Sequence, residues 1–391
     1  MKIALVCDAF YPSINGVTSV LDFYGRRMAQ NHEVYIISAH PRPGENVDKY
    51  LHDAPYKVIW CKIGHFNFQD AYRNCLPKKD KEFQRTIGEI DFDIIHTHSL
   101  FGLANYMRDW GRARGIPVVC TLHMKVVDDF LRYDFTRGFF ARKIARAKFK
   151  GFYKYDMLYS LNNGMVDHVR KFGYKGPTTV IHNGADLVPP KNFDEIRNRQ
   201  RAEFGVGPDV PLLLFVGRII KLKGIFVIAK ALAELRKRGF AFKMVYVGNG
   251  PEERKLHKMV AKLGLGDVVT FTGKVTDRER LKAIYASADL FLFPSFYDVE
   301  CVVKIEAAAL RTPTLGWRGA ITVSDIVDGE NGFLADKGVR NFADKIVEAT
   351  TDRAKLSQIG EAAQRTIYRS WDDCADKMVE LYKEVIDAKR K

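Results

Sequence analysis

Short apolar runs of strand length recur along the chain, separated by stretches with helical spacing. In the first half they fall at 3–8, 34–38, 58–62, 93–98, 118–123, 157–161 and 179–183. In the second half they fall at 212–217, 243–248, 268–273, 290–294 and 312–316. The runs are continuous rather than alternating, are rich in Val, Ile, Leu and Phe, and end at Gly, Asp or Pro. Strands covered on both faces read this way, so the pattern predicts parallel sheets with helices packed over them. Residues 226–239 and 252–264 carry helical patterns.

Strands alternating with helices in two blocks predict an α/β protein of two doubly wound domains, over 1–190 and 200–370. The polar stretch 186–210 breaks the rhythm and is expected to link them. The amphipathic segment 371–391 is expected to pack back on the first domain. Ligands of such sheets bind beyond the carboxyl ends of the strands, so a cleft between two facing domains is the expected site.

Composition narrows the class. With 391 residues the chain is too long for one ordinary core. Six scattered cysteines without a CxxC pair suit a reducing cytosol, with neither disulfides nor structural zinc. The N-terminal run MKIALVCDAF is too short for a signal peptide, and no stretch approaches the ~18 apolar residues of a membrane span. We therefore expect a cytoplasmic protein, free or resting on the inner face of a membrane. The net charge of +15 calls for nucleic acid, an anionic membrane or a phosphorylated substrate, and charge alone does not separate these.

Two segments of the second half carry candidate chemistry. VGRIIKLKG (216–224) places Arg218 and Lys223 across the turn from a strand into a helix. Two fixed cations there would stabilise a departing diphosphate without a metal, although an exposed basic turn would look the same. In FPSFYDVECVVKIEAAALRTP (293–313) a strand gives way to a loop with Asp298 and a helix starting near Val302. The N–H groups of Cys301, Val302 and Val303 would face an anion there, and Glu306 would either accept hydrogen bonds from ribose hydroxyls or be an ordinary first-turn helix acid.

These segments resemble the retaining glycosyltransferases of family 4, which have the GT-B fold. The resemblance rests on GRIIKLKG (217–224), DVECVVKIE (298–306) and TPTLGWRGAITVSDIVDGENGFL (312–334), in the order and spacing of that family. VGNGPEERKL (247–256), VVTFTGKV (268–275) and VIHNGADL (180–187) extend it over nearly the whole chain. It implies that Arg218 and Lys223 hold the diphosphate, Glu306 the ribose, and Asp298 with the following N–H groups the sugar hydroxyls. The backbone at Lys274 and Val275 would meet the base. The chain departs from the family at Asp298, where Glu is usual, and at Val299 and Cys301, where glycine is common. Glu300 adds a charge that must point away from a phosphate, and Lys304 is expected either to offset it or to face solvent.

In the first half, YPSINGVTSVL (11–21) matches the family's first loop, with Gly16 letting the backbone approach the donor phosphates. CTLHMK (120–125) ends a strand on His123, which the resemblance places at the donor sugar near the reacting carbon. His96, His98 and the DFD at 91–93 lack a convincing third ligand, so no metal site is expected. His98 is expected to line the cleft.

The segment 137–156 holds seven cations before its first acid, and Arg142, Arg146, Lys150 and Lys154 form one helical ridge. A basic face beside aromatics suits an anionic membrane surface as well as a solvated helix. No nucleic-acid-binding motif is visible. The reading at this level is a hexosyltransferase using a nucleotide-diphosphate sugar, with UDP-glucose as donor. It takes a hydroxyl acceptor such as diacylglycerol and needs no cofactor or metal. The alternatives are a soluble or polysaccharide acceptor, or a non-catalytic protein binding a sugar nucleotide or an anionic surface.

Overall fold

The computed structural model describes the chain apart from residues 14, 68–71 and 126–149 and the side chains of 65–67. It forms two compact units, Met1–Asn183 with Trp371–Lys391, and Gly184–Ser370.

The strands of the first unit are β1 (Lys2–Cys7), β2 (Glu33–Ala39), β3 (Lys57–Cys61), β4 (Ile63–Asn67), β5 (Arg73–Cys75), β6 (Ile94–Thr97), β7 (Val118–Leu122), β8 (Met157–Ser160) and β9 (Thr178–Val180). Seven make one parallel sheet in the order β3-β2-β1-β6-β7-β8-β9. Leu5 of β1 lies opposite Ile36 on one side and His96 on the other, and Ile3 to Cys7 are fully buried. That burial on both faces is why the run is apolar without alternation. β4 and β5 form a separate antiparallel hairpin. Its residues, IGHFN and RNC, are too polar to stand out as strands.

At the end of β1, fully buried Asp8 accepts from Ser99 Oγ at 2.6 Å and from Leu103 N at 2.7 Å. It thereby caps helix Gly102–Ala113, whose own N-cap side chain offers no acceptor. The last helix, Trp371–Arg390, belongs to this unit. Trp371 stacks on Phe23 with centroids 4.8 Å apart, and Lys389 reaches Asp156 at 2.8 Å.

The second unit holds β10 (Leu212–Val216), β11 (Lys243–Val247), β12 (Val269–Gly273), β13 (Leu290–Leu292), β14 (Thr314–Trp317) and β15 (Phe333–Ala335). All are parallel, in the order β12-β11-β10-β13-β14-β15. The three residues of β15 are too few to register as an apolar run. Residues 186–210 are not the bare linker the sequence suggests, since they contain helix Phe193–Glu203. Arg197 and Arg201 on that helix both bind the buried Asp289 carboxylate, which also accepts from Leu212 N at 2.7 Å. The polar sequence thus hides an ion-paired contact with the sheet.

Candidate functional site

In the second unit the candidate residues gather at the carboxyl ends of β10, β12 and β13. The turn after β10 passes through a short 3-10 segment, Lys221–Lys223, into helix Ile225–Lys237. Gly224 joins them at φ 75°, and a Cβ there would lie 2.4 Å from Pro294 O, so only glycine fits. This packs the turn against the loop that follows β13.

Across that contact Lys223 Nζ forms an ion pair with Asp298, and Asp298 Oδ2 accepts from Ser295 Oγ at 2.7 Å. Lys223 also lies 5.0 Å from the Phe293 ring centroid. Arg218 is exposed and has no ion-pair partner among the described residues. Two candidate phosphate cations are therefore placed differently, one clamped by a carboxylate and one open. Ser295 carried no signal in the sequence, because a serine after a strand is common.

Helix Val302–Ala309 begins at the N-cap Cys301 without a side-chain cap or a first-turn acid. Its first N–H groups therefore lack the usual side-chain acceptor and form the positive end of the helix dipole. Val299 and Cys301 are 5% and 3% exposed and fill apolar space where glycines would leave none filled. Burial pushes the Cys301 thiol up to about 12, so it is no nucleophile at neutral pH.

Glu306 is 7% exposed, in the second turn of that helix. Tyr285 donates to Oε2 at 2.9 Å, and Arg278 Nη1 lies 3.2 Å from Oε1. Burial raises its carboxyl above the usual range, while Arg278 and Tyr285 pull it back. Tyr285 and Arg278 were not legible, since Tyr285 reads as an apolar helix position. Lys304 neither offsets Glu300 nor faces solvent. It is 1% exposed and spends its ammonium on Asp325, at 2.5 and 2.7 Å, and on Thr322 O at 2.9 Å. After β12, Lys274 is exposed and Val275 packs against the core.

In the first unit, Gly16 opens helix Gly16–Met28, and nothing lies within 4 Å of a Cβ placed there. The chain itself does not require glycine at that position. Asn15 Oδ1 already accepts from Val17 N at 2.9 Å and Thr18 N at 3.0 Å, so part of this N-terminus is satisfied. Among the described residues the buried Asn15 Nδ2 has no acceptor, a feature that no sequence pattern marks.

His123, half-buried after β7, meets His98 with Nε2 3.0 Å from Nδ1. His98 is only 1% exposed, so it backs His123 instead of lining an open surface. Its ring centroid lies 4.0 Å from that of His96, tilted by 36°, and His96 is held at both nitrogens, by Tyr382 Oη at 2.6 Å and Thr121 Oγ1 at 2.7 Å. Burial lowers all three imidazoles, His123 to about 3, which leaves them neutral at physiological pH. Asp93 of the DFD accepts from Lys2 N at 2.7 Å.

Of the basic ridge, Arg142 and Arg146 lie outside the described residues. Lys150 is exposed, and Lys154, also exposed, is 3.3 Å from Asp109. Among the described residues no helix is long and apolar enough to cross a membrane.

Two family models match the chain: "Glycosyltransferase Family 4" over residues 14–188 and "Glycosyl transferases group 1" over residues 196–366. D-inositol 3-phosphate glycosyltransferase of Paenarthrobacter aurescens is 32% identical over 351 residues, 82% of either chain. Its namesake from Nocardia farcinica is 34% identical over 52% of this chain, which spans 46% of that relative. Alpha-monoglucosyldiacylglycerol synthase of Acholeplasma laidlawii is 26% identical over 86% of this chain and 85% of its own. Sucrose-phosphate synthase from Thermosynechococcus elongatus shares the GT-B fold, with a TM-score of 0.76 over 99% of both chains at 21% identity. Paired parallel sheets, matching models on both halves and a relative at 32% over most of the chain agree: the chain belongs to the group 1, family 4 glycosyltransferases.

Proposed function

We propose that the chain transfers a hexose from a UDP-sugar, UDP-glucose first, to a hydroxyl acceptor with retention of configuration. The observation that carries this is the Lys223–Asp298 pair, which ties the turn after β10, the turn that also carries Arg218, to the loop leading into the uncapped helix start at Val302. As the bond to the anomeric carbon breaks, the diphosphate gains charge. Arg218, Lys223 and the N–H groups of Val302 and Val303 stabilise it, so no metal is needed. Asp298 takes sugar hydroxyls and Glu306 the ribose. His123, neutral, holds the sugar near the reacting carbon, and the acceptor hydroxyl attacks from the face the diphosphate leaves.

We assign the acceptor side to the first unit, with the chain working at the inner face of a membrane. The basic ridge at Arg142, Arg146, Lys150 and Lys154 supports a lipid-borne acceptor, as does the similarity to a synthase named for monoglucosyldiacylglycerol. The relative named for D-inositol 3-phosphate supports a soluble acceptor instead. Incubation with labelled UDP-glucose, with and without diacylglycerol vesicles, tests both. Label in lipid supports the first reading, and label transferred only to soluble polyols the second. Tight UDP binding with neither transfer nor hydrolysis would overturn UDP-glucose as donor.

A further inference from the structure

The first unit holds a cavity of about 740 Å³ that none of the donor residues lines. It opens at the carboxyl ends of β2 and β3, between the loop of residues 40–45, Trp60 on β3, and Phe83 and Thr86 of helix Lys81–Gly88. Its size falls within the roughly 300–1,000 Å³ of small-molecule sites. His98 and His123 follow β6 and β7, so the cavity sits at the same end of the same sheet.

The walls are fixed before any ligand arrives. Arg73, 7% exposed, donates to His40 O at 2.8 Å and to both Glu45 carboxylate oxygens at 2.9 and 2.7 Å. Glu45 also accepts from Arg42 N at 2.7 Å, which locks the loop. On the far wall Asp80 accepts from Lys62 N at 2.8 Å and caps Phe83 N at 3.0 Å. Both acids are therefore spent on structure. The half-buried Trp60 ring is held by His40 and Phe10, with centroids 6.2 and 6.4 Å away.

What remains open to a ligand is part of an indole, a few apolar side chains, and a rim of mixed sign from Lys62 and Glu82. An acyl chain would strip water from those charges with nothing in return. A phosphate would want a single sign. A sugar ring presents a face of C–H groups and an edge of hydroxyls, which matches an indole with polar groups around it. β3 lies four strand positions from β7, roughly 19 Å at ~4.8 Å per strand, too far for the ring that receives the transferred sugar.

We infer that this cavity is a distal subsite for a neutral sugar ring, stacked on Trp60, so that the acceptor carries at least one ring beyond the one glycosylated. The inference rests on the glycosyl-transfer reading but replaces its acceptors with a glycan or glycolipid, since diacylglycerol has no ring and an inositol phosphate only one. The test is saturation-transfer NMR with methyl α-glucopyranoside and maltotriose on the full chain saturated with UDP.

Wild type is expected to give transfer to both probes and His123→Ala to keep it. Trp60→Ala should lose it by roughly tenfold, with thermal unfolding and the first unit's amide spectrum unchanged to show that the fold around position 60 is intact. Trp60→Phe, which keeps a flat ring, should retain part of the signal. Absence of transfer in wild type, or transfer that survives Trp60→Ala, overturns the subsite. Hydrolysis of UDP-glucose, measured separately, keeps the two readings apart. Turnover without a glycoside signal sinks the subsite alone, whereas a signal without turnover of any nucleotide sugar sinks the transfer reading and the acceptor role with it, and leaves only a sugar-binding cavity.

Discussion

Lys223 and Asp298, 75 residues apart in sequence, form an ion pair between the turn after β10 and the loop after β13. A residue proposed for the phosphate and one proposed for the sugar therefore hold each other before a donor arrives. Replacing either frees its partner, so their effects on turnover should not add. We expect Lys223→Ala to lower kcat/KM by roughly 100-fold or more, as loss of a transition-state charge partner does. The double variant with Asp298→Asn should cost less than the two singles combined. Steady-state kinetics on the four proteins checks this; strict additivity would mean that the pair does not act as a unit.

Glu306 gives a pH dependence of defined sign. Its carboxyl is raised by burial, so it protonates at a higher pH than an exposed glutamate. A protonated carboxyl has one fewer acceptor for ribose hydroxyls, so donor affinity should fall as the pH drops through mildly acid values. Tyr285→Phe removes a buried hydrogen bond to this carboxylate, and we expect UDP affinity to weaken by roughly tenfold. Calorimetric titration with UDP from pH 7 to 5 would show both effects. A flat profile would exclude Glu306 from the donor site.

His123 gives the opposite expectation. With its imidazole lowered by burial to about 3, it stays neutral at every pH where the enzyme works. No inflection near 6.5 should appear in kcat/KM on its account. The same shift acts on stability. The unfolded chain takes up protons below about 6.5 and the folded chain does not, so stability should fall as pH drops from 6.5 toward 3. Denaturant titrations along this range test it, and His123→Gln should flatten part of the slope.

Lys304 offers a purely structural contrast. Its ammonium is buried and paired with Asp325, and Lys304→Met would remove that ion pair together with the hydrogen bond to Thr322 O. A loss of about 3 kcal/mol is expected from breaking a buried pair on one side. Chemical denaturation measures it. A change below ~1 kcal/mol would show that solvent reaches Asp325 and takes over.

The contrast between Glu306 and Lys304, two positions apart, shows what the sequence could carry. Glu306 stood out in the sequence because it lies eight residues after Asp298 along a strand–loop–helix pattern, and local spacing survives folding. Lys304 was misread because its partner lies 21 residues on, beyond β14, and only tertiary packing brings them together. Tyr285, Arg278 and Ser295 were invisible for the same reason. Their roles depend on neighbours from other elements, while their residue types are ordinary where they stand. The long buried strands could be read directly because burial on both faces leaves a one-dimensional trace. The β4–β5 hairpin and β15, short or polar, leave none.

Tyr382 donates to or accepts from His96 near the end of a chain whose first strand is already Lys2–Cys7. Trp371, Met378 and Tyr382 of the last helix are buried in the core that Ile3 and Leu5 begin. During synthesis, the first unit cannot close that core until Trp371–Arg390 is made, and the whole of the second unit precedes that helix in sequence. The early half must wait with exposed apolar surface until that helix arrives.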